Sequence, residues 1–414
     1  MIAETKSCSL TCFSRLTPQF DGLSPADGAL ECDRLQWRVL TIEGGSMSTR
    51  MTINHFFSSL VLAGIAVAAA AVEPVTVAIH PAQPLIEQGK GQQLLNLDFR
   101  IDNASADKIE LSSIEVSVLG SADKLVAQYR VGANGQSVLV VPNRFVEPGK
   151  SEHVFNPLVN FPEGMDLSRL RFHFEFDVGD ETKYKVDTLV QPRLFTPKVK
   201  LSLPVAGPAL VHDGHDFYGH HRRLPLLDPM AQALQWKRNF MRYSYDFVLT
   251  DAQGKMYKGD GSRNEDWYGW GTPVTAPAAG TVIRAVANLP DNAKGKRPPF
   301  SREQFIADPS LMWGNHIEID HGNGEISMLA HMKSGSVKLK VGDRVAQGQQ
   351  VGEMGFSGDA FLVHLHYDLK NGPGFDADGL PSPFAGVERL NGASWVKVPS
   401  GHVDSGDIVR RRSK

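Results

Sequence analysis

The stretch Ala360-Phe-Leu-Val-His-Leu-His-Tyr-Asp-Leu-Lys370 constrains this chain more than any other. Its apolar and aromatic residues predict a strand, in which alternate side chains share a face. His364 and His366 then point one way, and Val363, Leu365 and Tyr367 the other. Two imidazoles on one rigid wall suit one metal ligand beside one proton-handling group, and equally two ligands of one ion. An isolated His-x-His is more readily a pair of histidines on a half-exposed strand, so a chemical meaning rests on the residues around it.

A chain of 414 residues has room for two or three domains. The formal charge of -3 provides no basic excess to neutralise phosphates, so nucleic acid is not an expected partner. The three cysteines, Cys8, Cys12 and Cys32, all precede Met47. A short positive segment follows, ending at Arg50, and residues 56–72 are then almost continuously apolar with an alanine-rich exit. That order is the pattern of a secretory signal peptide. We therefore expect residues 1–46 to be an upstream artefact and residues 47–72 a cleaved leader. The mature chain would have no cysteine and no stable membrane span, and it would be exported, to a periplasm rather than the medium. A secreted product whose amino-terminal sequence began at Met1 would refute this.

Residues 73–195 read as short β segments. They include Val75 to Ile79, Gln93 to Ile101, Ile114 to Leu119, Ser137 to Val141 and Leu170 to Asp177, separated by glycine and asparagine turns. The expected fold class is mainly β, beginning with a small immunoglobulin-like β-sandwich. After a proline-punctuated connector comes His212-Asp-Gly-His-Asp-Phe-Tyr-Gly-His-His-Arg-Arg223, with four histidines and two aspartates in twelve residues. Such a run is rich in metal-ligating groups. Arg242 to Leu249 alternates as a strand that would place Arg242, Ser244 and Asp246 on one face. Residues 313–332 predict a hairpin turning at Gly322-Asn-Gly324, with His331 at its far end, and residues 341–352 predict another.

Taken in order, several pieces of the carboxy-terminal half resemble the lysostaphin/LytM-type zinc endopeptidases. They are Tyr245-Asp246-Phe247, Gly271-Thr-Pro-Val274, Gly314-Asn315, Ala330-His331-Met332, Val341-Gly-Asp343 and His364-Leu-His366. The resemblance covers residues 196–395 and implies a LytM-type, barrel-sandwich-like β domain after the sandwich, with 396–414 left as a basic tail. It implies one Zn2+ ion held partly by Asp246 and His366, with water in the open position. His331 and His364 would flank that water as catalytic groups, one relaying its proton and one stabilising the oxyanion.

One position departs from the family pattern. The usual first zinc histidine lies four residues before the aspartate, where this chain has Arg242, and a guanidinium has no lone pair to give. His221, with His220 next, is the expected replacement, and residues 222–242 would then be an insertion. The implied function is an exported zinc endopeptidase acting on peptide cross-links of bacterial peptidoglycan. The alternative is a non-catalytic relative that binds peptidoglycan or regulates a cell-wall amidase through a protein partner. A lipoyl-type carrier would explain Val341 to Gln349 but none of the histidines.

Overall fold

The computed structural model describes residues 73–412 except residues 90, 133–143, 218 and 297. The leader, the three cysteines and the strand expected over 137–141 lie outside the described residues. Among the described residues the fold is mainly β, and no helix is long and apolar enough to cross a membrane.

Between Val75 and Leu194 two sheets lie face to face. One runs Arg193–Leu194, Val75–Gln88, Gln92–Asn103, Ser151–Phe155, and the other Ala127–Gly132, Ile109–Val118, Leu170–Val178, Glu181–Val190. The alternation read from the sequence fills the space between them. Phe172, Phe174 and Phe176 are fully buried, and Phe99 meets Phe172 and Phe174 at ring separations of 4.9 and 4.8 Å. An immunoglobulin type of connection remains a proposal for this region.

In the Gln92–Asn103 strand Leu95, Leu97, Phe99 and Ile101 enter that core, while Asn96 and Asp98 face the other way. Both polar residues are nevertheless buried. Their cover comes from the rest of the chain, whose described residues pack as one unit.

The second half is built on a ten-stranded sheet. Its middle holds four neighbouring strands, Ile326–Met332, Leu365–Lys370, Tyr245–Leu249 and Ala209–Asp213. Leu365, Tyr367 and Leu369 enter a core with Tyr245, Phe247 and Phe384. His366, Asp368 and Lys370 take the opposite face, as the period of a strand requires. The expected 222–242 insertion folds over this polar face. Phe240, Leu224 and Leu226 form a second apolar cluster with Trp313 and Met328.

Three local expectations differ from what is observed. The strand read from Arg242 begins only at Tyr245, because residues 239–244 turn so that Arg242 reaches Asp98. The 341–352 segment is not a paired hairpin. Arg344–Val345 pairs with Gly280–Val286 and Gln350–Glu353 with Pro273–Thr275, so its two arms join different sheets. The basic end is not a free tail either. Ile408–Arg411 pairs with Ala209–Asp213 and Val387–Asn391, which satisfies its backbone within the sheet.

Candidate metal centre

Strand register brings the polar residues into one row. Asp246 lies opposite His366, His366 opposite Ala330, and Asp213 opposite Asp246. His331 follows Ala330 at an irregularity in the pairing, with φ of 59°. A left-handed conformation at a non-glycine residue is costly and persists only where its surroundings enforce it. Here they do. The ring Nδ1 of His331 is 2.7 Å from the carbonyl oxygen of Ser357. That loop is held where a Cβ on Gly358 would run into the backbone of Gly314.

Asp246 is the hub. Its Oδ1 lies 2.9 Å from His366 Nδ1 and 3.4 Å from His364 Nε2, and its Oδ2 lies 3.8 Å from His221 Nε2. The rings of His221 and His366 are 4.6 Å apart, and that of His331 is 4.7 Å from His364 and 5.7 Å from His366. His221, Asp246, His331, His364 and His366 therefore meet at one place, across 145 residues of sequence from 221 to 366. His220 stands at its edge. Its side chain is 47 % exposed against 6 % for His221, and it turns to Asp213 at 2.9 Å. His212 is exposed, and His215 belongs to a separate cluster. Arg242 does not enter the site; its guanidinium donates to Asp98 at 2.6 Å.

Two carboxylates at this site went unassigned in the sequence. Asp213 lies 2.7 Å from His221 Nδ1, and its oxygens accept the backbone N–H groups of His220 and His221. Asp368 lies 3.3 Å from His366 Nε2 and accepts the hydroxyl of Ser244. Each faces the far nitrogen of an imidazole whose near nitrogen looks at Asp246. Orientation of a histidine by an outer carboxylate is the usual support of a metal ligand. The Asp213 signal was present in the His-rich run, and the Asp368 signal was its place two residues past His366 on the same strand face.

The charges are arranged for a cation. Burial alone would raise the Asp246 carboxyl, but His221, His364 and His366 outweigh it and hold the group well below the ordinary carboxylate value. Burial would lower His366, yet the Asp368 and Asp246 carboxylates push it up to about 10. Burial, then His364 and His366, keep the His331 imidazole well below its ordinary value, so it is neutral near pH 7.

His221, Asp246 and His366 fit a zinc ion. Two imidazoles and a carboxylate are the donor types of such a site, and Asp246 adjoins both histidines, its Oδ1 2.9 Å from His366 and its Oδ2 3.8 Å from His221. Asp213, His220, His221 and Asp246 also offer ligand atoms within 4.8 Å of one another.

A histidine–aspartate cluster on one face of a β-sheet offers the donor types of a transition-metal site. The particular family follows from comparison: residues 267–377 match the Peptidase family M23 profile, and the chain carries an M23 domain there. Members of this family are zinc-dependent metallopeptidases. The chain is 27 % identical over 116 residues to the cell division protein DipM of Caulobacter vibrioides, a match spanning 28 % of this chain and 16 % of that protein. It is similar to the catalytic domain of lysostaphin from Staphylococcus simulans at 23 % identity, over 33 % of this chain and 74 % of that one, with a TM-score of 0.21. The catalytic domain of the prophage-encoded M23 protein EnpA of Enterococcus faecalis, in a mutant form, gives 21 % identity, 33 % and 73 % coverage and a TM-score of 0.21.

Proposed function

We propose that this chain is an exported zinc endopeptidase that hydrolyses peptide cross-links of bacterial peptidoglycan, acting in the periplasm. The observation that carries the reading is the meeting of His331 and His364 beside Asp246, His221 and His366, each with its Nδ1 tied to a backbone carbonyl. His331 Nδ1 faces the Ser357 carbonyl at 2.7 Å and His364 Nδ1 faces the Leu362 carbonyl at 2.9 Å. A carbonyl oxygen can only accept, so both Nδ1 atoms donate, and in His331, whose imidazole burial keeps neutral, Nε2 keeps its lone pair.

His221, Asp246 and His366 would hold the ion, with Asp213 and Asp368 setting the two imidazoles. When bound, zinc polarises a water molecule and lowers its pKa towards neutrality. One of His331 and His364 takes the proton of the attacking water at Nε2. The other, once protonated, donates from Nε2 to the carbonyl oxygen as charge develops on it. The burial of both rings keeps bulk water from competing for these bonds.

The non-catalytic reading drew its support from Arg242. That support weakens when Arg242 is occupied by Asp98 and His221 stands beside Asp246.

The test is digestion of purified peptidoglycan with release of muropeptides, run with and without a chelator. Loss of cross-linked species is expected, abolished by the chelator and lowered at least about 100-fold in His331→Ala or His364→Ala. Intact cross-links with zinc-loaded wild type would refute the peptidase and leave a binding protein.

A further inference from the structure

A second group of metal-ligating side chains lies apart from the M23 site. Glu87 comes from the Val75–Gln88 strand of the first half. His215 comes from the His-rich run, and His402 from the segment between the Ser394–Lys397 and Ile408–Arg411 strands. All three are buried, at 7, 1 and 8 % exposure. His215 Nε2 is 3.0 Å from Glu87 Oε1, and His402 Nδ1 is 3.4 Å from Glu87 Oε2. The two imidazole rings are 5.2 Å apart.

We propose that Glu87, His215 and His402 form a second transition-metal site, of the zinc class, which ties the first β region to the peptidase region. Three observations meet there. The ligand-atom spacings of 3.0 and 3.4 Å match the separation of about 3.3 Å expected around a tetrahedral ion. The far nitrogen of His402, Nε2, is held at 2.8 Å by Asp404, which leaves Nδ1 to look at Glu87. The same support recurs in the M23 site, where Asp368 backs His366. Finally, the three side chains are all buried and offer ligand atoms within 4.8 Å of one another.

Two imidazoles and one carboxylate favour zinc over magnesium or calcium, which prefer all-oxygen shells. Three protein ligands leave a fourth position for water. A cleft of ≈ 190 Å³ adjoins the group, lined by His215 and by Asp404, the partner of His402. Its three ligands come from segments far apart in the chain, so an ion would cross-link them as a staple. The proposal does not rest on the peptidase reading.

The test is metal stoichiometry on the full chain. Protein stripped with chelator is dialysed against Zn2+, washed and counted by elemental mass spectrometry, then titrated with Co2+ and followed by visible absorption. Two ions per chain are expected in the wild type, one in Glu87→Gln, one in His402→Ala and one in His366→Ala. The double variant Glu87→Gln with His366→Ala should retain none. A wild type holding no ion overturns the proposal, and so does an ion count left unchanged in Glu87→Gln; a single ion lost in Glu87→Gln and kept in His366→Ala would support it and remove the peptidase reading instead. Circular dichroism checks that each variant folds, and the wild-type count decides the matter where a variant does not. An ion lost with His366→Ala alone, from a wild type that held only one, would leave the peptidase reading standing and remove this one.

Discussion

Asp98 sits between two guanidiniums that solvent does not reach. It accepts from Arg222 at 2.5 Å and from Arg242 at 2.6 Å, and Arg222 also donates to Asn96 and to the Leu97 carbonyl. Arg222 directly follows His221, so this buried knot fixes the backbone that presents the histidine beside Asp246. Burial pushes the Asp98 carboxyl up, but Arg222 and Arg242 outweigh it and hold it at about 2, against an ordinary value of 3.8. A carboxylate depressed by folding contributes stability above its unfolded value, and that contribution disappears as pH falls through the folded value. It is therefore fully present above about pH 4 and lost towards pH 2, an amount of about 2 kcal/mol. Removing the partner altogether leaves two buried cations uncompensated, and Asp98→Ala is expected to cost about 3–5 kcal/mol. Urea unfolding at pH 7 measures the cost. Repeating it between pH 4 and pH 2 should show wild type converging on Asp98→Ala, and a constant gap across that range would refute the account.

The elements that carry the site were legible wherever a pattern is local. Alternation identified the Leu365–Lys370 strand and the face that His364 and His366 share, and glycine spacing identified the 313–332 hairpin. The partners across the sheet were not legible, because Asp213, Asp246 and His366 become neighbours only through register between strands far apart in sequence. Arg242 was misread as a strand residue for the same reason, since its partner Asp98 lies 144 positions away. The aromatic cover over the polar face is another product of long-range packing. Phe240 is fully buried and stacks edge-on against Trp236, Trp313 and Phe375, and Trp313 lies 5.1 Å from the His366 ring. Phe240→Ala should cost about 3–5 kcal/mol through lost contacts and the cavity left behind. Because Trp313 would lose its support, the variant should also bind Zn2+ more weakly at His366, read as a raised dissociation constant in competition with a chromophoric chelator. Unchanged metal affinity in a destabilised variant would separate the aromatic cover from the site.

For the whole molecule these contacts make the first β region part of the structure of the second half. Its Gln92–Asn103 strand has two occupied faces, one in its own aromatic core and one under Arg222 and Arg242. The family match begins only at residue 267, so both the histidine beside Asp246 and the knot that holds it are built from sequence outside the matched segment. A fragment of residues 196–414 would keep every side chain of the histidine–aspartate site and lose Asn96, Asp98 and Glu87. Arg222 and Arg242 would then be left without their carboxylate in a surface that had been interior. Losing these charge-assisted hydrogen bonds, each contributing about 1.5–3 kcal/mol, and the strand that covers them removes a large share of the roughly 5–15 kcal/mol that holds an ordinary domain together. The fragment is expected to unfold at a temperature well below that of the full chain and to be cut rapidly by a protease between residues 213 and 245. Thermal denaturation and limited proteolysis with mass mapping check both points. If the fragment melted like the full chain and resisted cleavage there, the first half would be an appendage, and the position of His221 would have to be fixed by Asp213 alone.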